Sequence, residues 1–116
     1  MPRKAGPILD DMLTAIDAVL AATAGKSYAQ FRKDWLLRHG VQRGIEIVSE
    51  ASRHLPAALL ARHPEIEWAQ IKGIGSVLRH EYHRVSDEII WGAVKKKLPA
   101  LKKAIESMMA ASRQAG

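Results

Sequence analysis

Residues 73–85 read GIGSVLRHEYHRV, and the last seven of them carry two histidines, two arginines, a glutamate and a tyrosine. Imidazole accepts a proton near neutral pH and imidazolium returns one. A guanidinium holds phosphate through two parallel hydrogen bonds. Together these groups have what metal-independent RNA cleavage requires. A base takes the proton of a 2′-hydroxyl, the oxygen attacks the neighbouring phosphorus, an acid protonates the departing oxygen, and a cation offsets the charge growing on phosphate. His80 and His83 with Arg79 and Arg84 supply those groups. Lys72, Ser76, Arg79 and His83 recur on one helical face, so Lys72, Ser76, His83 and Arg84 are candidate RNA contacts beside Arg79 and His80.

Composition alone favours a plainer role for such a cluster, solvated or capping carbonyls at a helix end. A zinc site is not expected: His80 and His83 lie one turn apart, no third ligand is apparent, and the chain has no cysteine. "GIG" is no dinucleotide loop, because no strand precedes it and the third glycine is missing. Trp35, Trp68 and Trp91 are expected as core or interface anchors rather than a base-stacking platform.

These side chains need a scaffold, and the apolar spacing supplies one. Ile8, Met12, Ala15, Ile16, Val19 and Leu20 predict a helix over 8–24, closed by Gly25. Ser27 and Gln30 form a capping-box pattern that opens a second, long helix. Its stripe is Phe31, Trp35, Arg38, Val41, Ile45, Val48, Ser52 and Leu55, with Pro56 ending it. Residues 56–66 read as a connector with a helical turn at 57–61. A third helix carries Trp68, Ile71, Gly75, Leu78 and Tyr82 on one face. Ser86 is the expected N-cap of a fourth, with Asp87 and Glu88 placed for its dipole. Its inward positions are Ile90, Val94, Leu98, Leu101, Ile105 and Met108, and Pro99 should kink or restart it. No segment alternates as a strand would. The fold class expected is all-α, an antiparallel four- to five-helix bundle over 8–109, with flexible ends at 1–7 and 110–116.

The chain has 116 residues, enough for one domain, and 47% of them are hydrophobic, enough for one core. A net charge of +6 suits phosphate-rich partners. No apolar run approaches bilayer length, and Asp10 and Asp11 interrupt any secretory core, so a cytoplasmic protein without membrane contact is expected.

Two stretches, FRKDWLLRHGVQRGIEIVSEASRHL at 31–55 and HPEIEWAQIKGIGSVLRHEYHRVSDEIIWGAVKKKLPAL at 63–101, resemble the HepT-like proteins of the HEPN superfamily. Arg43, Glu50 and Ala51 match in the first. A Pro, a Trp before Ile and Gly, a His-x-Tyr, a second Trp and a Leu-Pro match in the second. The resemblance implies a helical homodimer that pairs two copies of an Arg-x4-His-x-Tyr motif. It implies an RNA-cleaving toxin needing no cofactor, and a minimal nucleotidyltransferase antitoxin as partner. It assigns His80 as the acid–base group and Tyr82 as a residue that can receive AMP. The motif arginine should stand at 75, where this chain has Gly75, followed by Ser76. Arg79 is the first candidate to replace it, and Lys72 and Arg84 are others. Positions 75 and 80 differ by about 140° around a regular helix, so the motif needs a bend or a second subunit. Glu50 is expected to be a buried polar residue or to bond toward the motif. The alternative function is a non-catalytic RNA- or nucleotide-binding module that docks with the nucleotidyltransferase.

Overall fold

A computed structural model describes residues 5–80 and 83–115, with side chains over 5–78 and 87–111. The described backbone is helical throughout its ordered elements. These are α1 (Ala5–Thr23), α2 (Tyr28–Lys33), α3 (Trp35–Ser52), α4 (Ala57–Ala61), α5 (Trp68–His80), α6 (His83–Gly92), a π-helical turn (Ala93–Lys97) and α7 (Leu98–Ala115). Among the described residues no helix is long and apolar enough to cross a membrane.

Helix α1 starts at Ala5, before the expected boundary, and contains Pro7. Proline is harmless there because the first four N–H groups of a helix have no intrahelical acceptor. Gly25, at φ 73°, reverses the chain after α1 in a conformation that a side chain would strain. The capping box then opens α2: Ser27 Oγ accepts from Gln30 N at 3.1 Å, and Gln30 Oε1 accepts from Ser27 N at 2.8 Å.

The long helix expected from 28 onward is two helices. Asp34 is extended, at φ −99° and ψ 101°, and serves both ends. Its N–H donates to Phe31 O at 3.3 Å, and its Oδ1 accepts from Leu37 N at 3.0 Å. A side-chain oxygen offered to a helix start competes with continuing the helix through it. The break shifts the phase, and Trp35 leaves the buried stripe. It is 59% exposed, with the His39 ring stacked on it at 4.0 Å. Trp68 and Trp91 do anchor packing. Trp68 Nε1 donates to the carbonyls of Leu60 and His63, both at 3.1 Å, and Trp91 lies 5.1 Å from the fully buried Phe31 ring.

Helix α6 begins at His83, so Ser86 lies inside it and is no N-cap. Asp87 is buried and faces Arg38 of α3, Nη1 to Oδ2 at 3.6 Å. A tertiary ion pair therefore takes the carboxylate that local rules assigned to a helix start. Pro99 is the second residue of α7, and the backbone stays helical from α6 through the π-helical turn and across it. The ring cannot donate to the carbonyl four residues back and crowds it. The preceding turn widens instead, and Leu98 N donates to Ala93 O in a π-type bond. Ile90, Val94, Leu98, Leu101, Ile105 and Met108 are all buried, as the apolar spacing predicted. Helix α7 continues through position 110 to Ala115.

Helix α3 is the centre of the bundle, packed on α1, α5 and α6, while α7 packs on α1. Ser49 meets Gly75 and Arg53 meets Lys72, so residue numbers rise on α3 as they fall on α5 and the two run antiparallel. On the α1 side, Lys102 of α7 holds Asp17 at 2.8 Å, and that hydrogen bond and then the carboxylate's charge raise the lysine above its ordinary pKa. The ammonium form is the one favoured, so the lysine's side of this clasp persists at neutral pH and is lost as pH rises past the lysine range.

Gly44 and Gly40 of α3 differ in role. A Cβ at Gly44 would sit 2.5 Å from Val19 Cγ2, so close approach of α1 and α3 demands glycine there; at Gly40 nothing lies within 4 Å. Val19 is buried and β-branched, with little freedom to turn aside. Gly44→Val is expected to cost about 2 kcal/mol by overpacking. Gly40→Ala is expected to stabilise by about 0.5–1 kcal/mol through helix propensity. Urea unfolding midpoints of the two variants check both signs.

Candidate functional site

The cluster of interest spans the end of α5 and the start of α6. Arg79 and His80 are the last two residues of α5, and His83 and Arg84 the first two of α6. Their side chains lie outside the described residues, as do Glu81 and Tyr82 altogether. What the structure defines is the pair of helices, α5 and α6, on either side of them. Helices α5 and α6 both pack on α3, and Arg38 of α3 reaches Asp87 of α6. Arg38 Nε is buried with no hydrogen-bond partner among the described residues, so this guanidinium is half-committed to a structural tie.

Position 75 is the informative one. Gly75 is buried against Ser49 of α3, and a Cβ built on it would lie 2.9 Å from Ser49 Oγ and 3.2 Å from Ser49 Cβ. The backbone N–H of Gly75 donates to Ser49 Oγ at 3.2 Å, and that hydroxyl donates to Lys72 O at 3.0 Å. The arginine expected by resemblance is thus replaced by a helix crossing. Its direction is taken up by α3, and its space by a serine that satisfies a buried polar contact on both sides.

One turn beyond Ser49 on α3, Arg53 reaches the same carbonyl. Its Nε and Nη2 donate to Lys72 O at 3.2 and 3.1 Å. Of the other RNA-contact candidates, Lys72 and Ser76 are half-buried along α5. Glu50 is not buried, and among the described residues it has no bond toward α5. It is exposed, with Oε1 3.4 Å from His54 Nε2 one turn along its own helix, an arrangement of little energetic weight. Among the described residues no group of three or more His, Asp or Glu is placed to hold a metal ion. Sequence spacing did not single out Ser49 or Arg53, since both act on a helix more than 18 residues away.

A second feature lies on the opposite side of α3. Helices α1 and α3 enclose an open groove of about 640 Å³, floored by Ala15, Ala18, Ala22, Gly40 and Gly44 and edged by Leu36 and Ile47. Leu36 is 76% exposed, unusual for a leucine of a packed helix.

The order of these helices and the residues along them match a known family. The HepT-like ribonuclease family model covers residues 12–108, from the first turns of α1 nearly to the end of α7. The chain belongs to the HepT-like ribonuclease family. Its fold is accordingly the all-α, HEPN-like bundle. Among HepT-like relatives, "Probable ribonuclease HepT" of Thermococcus cleftensis is 31% identical over 108 residues, 93% of this chain and 98% of the relative. A protein named "Putative RNase" from Caldanaerobacter subterraneus is 31% identical over 103 residues, 89% of this chain and 92% of its own. Another of that name from Methanocaldococcus jannaschii is 30% identical over 98 residues, 84% and 90% of the two chains. No solved structure matches.

Proposed function

We propose that this HepT-like chain is the RNA-cleaving toxin of a toxin–antitoxin pair, with a minimal nucleotidyltransferase as antitoxin, and that it acts as a homodimer without a metal. The observation that carries this reading is family membership over the whole bundle together with the retained His80-x-Tyr82 at the α5–α6 junction. His80 is the general acid–base group and Arg79 the phosphate holder, with Lys72, Ser76, His83 and Arg84 along the RNA. The 2′-oxygen gives up its proton to imidazole and bonds to phosphorus. The bond from phosphorus to the 5′-oxygen breaks, and that oxygen takes a proton. The products are one RNA end closed as a 2′,3′-cyclic phosphate and another with a 5′-hydroxyl.

The test is to incubate purified protein with single-stranded RNA in the presence of a chelator and to analyse the ends. Cyclic phosphate and 5′-hydroxyl ends support the reading, and intact RNA sinks it. Regulation has its own test. Incubation with the cognate nucleotidyltransferase and ATP is expected to add the mass of AMP to Tyr82 and to lower cleavage, because the added phosphate places negative charge beside the RNA path. An unchanged mass for Tyr82 removes that part of the proposal.

The fit of Ser49 against Gly75 favours a second reading, a non-catalytic RNA- or nucleotide-binding module that docks with the nucleotidyltransferase. It loses the motif guanidinium but keeps the basic row. RNA binding that weakens with salt, without cleavage, is its signature.

A further inference from the structure

We propose that Arg53 is an RNA-binding residue, holding a phosphate that flanks the cleaved one. This rests on the RNA-directed reading above but not on catalysis.

The argument begins with what the guanidinium is bonded to. Arg53 is exposed, and among the described residues its two hydrogen bonds go to one neutral acceptor, the carbonyl oxygen of Lys72. Of the five N–H donors of a guanidinium, two are spent, leaving about three for an anion. The contact offsets none of its charge. Arg38 differs: it faces the buried carboxylate of Asp87, which would repel a phosphate. Among the described residues, Arg53 is the arginine that α3 hydrogen-bonds to α5, the helix that ends in Arg79 and His80.

The anchor also fixes the head group in advance. Nε and Nη2 on a single carbonyl set the plane of the guanidinium, so less side-chain entropy is lost when an anion binds. The place is set by the same contact. Lys72 is eight residues before His80, about 12 Å along the helix axis. That exceeds hydrogen-bond reach of a phosphate held at His80, so Arg53 meets a neighbouring phosphate. Lys72 is itself the first of the positions on α5 that helical spacing puts on one face with Ser76 and Arg79. Arg53 thereby extends the basic track along the α3–α5 crossing, on the side where Gly75 offers no side chain. Its expected work is affinity rather than chemistry.

The experiment uses the full chain and a labelled single-stranded RNA oligonucleotide of mixed sequence. Dissociation constants are measured from low to moderate NaCl for wild type, Arg53→Gln, Arg53→Lys and Arg62→Gln, with melting temperatures for each. Arg62 is an exposed arginine at the end of α4 and serves as the control. Arg53→Gln is expected to weaken binding about tenfold at low salt and to reduce the slope of log affinity against log salt by about 0.7. In a cleavage assay its KM should rise while kcat stays. Arg53→Lys cannot span both hydrogen bonds, so a purely structural tie would fail in both variants, whereas a charge contact keeps its salt slope in Arg53→Lys. Arg53→Gln with the slope of wild type and of Arg62→Gln overturns the proposal, and so does equal loss of slope in the Gln and Lys variants. Wild-type protein that binds RNA through Arg53 but never cuts it removes the nuclease reading and leaves Arg53 standing. Cleavage with an unchanged Arg53→Gln slope does the reverse.

Discussion

Gly75→Arg alone is expected to destabilise the chain by about 1–3 kcal/mol, the ordinary range for overpacking a close contact. Gly75→Arg combined with Ser49→Gly is expected to recover most of that loss and to raise RNA cleavage by about 10²-fold. The first half follows from distance. The new Cβ would lie 2.9 Å from Ser49 Oγ and 3.2 Å from Ser49 Cβ, and neither atom belongs to a long side chain that can swing away. Both atoms vanish in Ser49→Gly. The bond from Ser49 Oγ to Lys72 O also vanishes, but that carbonyl keeps its two donors from Arg53. The second half follows from charge. A guanidinium restored at position 75 would supply the cation that the resemblance puts there, and a single preorganised donor of that kind is worth about 10²–10³ in rate. Urea denaturation of the single and double variants reads the packing, and single-turnover cleavage reads the charge. A stable double variant no faster than wild type would show that another cation already serves the reaction.

His80→Ala is expected to lower cleavage by about 10²–10⁴-fold, the usual contribution of a positioned acid–base side chain. Stability should change little, because His80 is the last residue of α5, where helix ends fray. The comparison variant is His54→Ala. His54 is an exposed histidine that faces Glu50 one turn back, and its loss should leave cleavage at the wild-type rate. Single-turnover rates across pH 5–9 check the assignment, since loss of His80 should remove a limb of the pH profile and loss of His54 should not. Equal rates for His80→Ala and wild type would remove His80 from the mechanism and transfer weight to the binding-module reading.

The sequence by itself determined what is local. Helix starts and ends depend on neighbours within a turn, so the Ser27–Gln30 capping box, the glycine closing α1 and the short α4 were all legible. The buried face of α6–α7 was legible too, because 3.6-residue periodicity sorts apolar side chains whatever they pack against. The motif was readable from the order of short words along the chain. Where two local preferences competed, the periodic reading slipped. Asp34 capped a new helix and turned Trp35 outward, and Asp87 left its place near a helix start to face Arg38. Tertiary structure alone decided which residues meet across helices. Ser49 touches Gly75 at a separation of 26 residues, and Arg53 reaches Lys72 at a separation of 19. Periodicity gives each helix a face but not its rotation and height against a partner. Those are set by the packing of the whole core, through close contacts such as that of Gly44 with Val19. For that reason the missing arginine could be seen in the sequence, while the serine filling its space and the second guanidinium beside it could not.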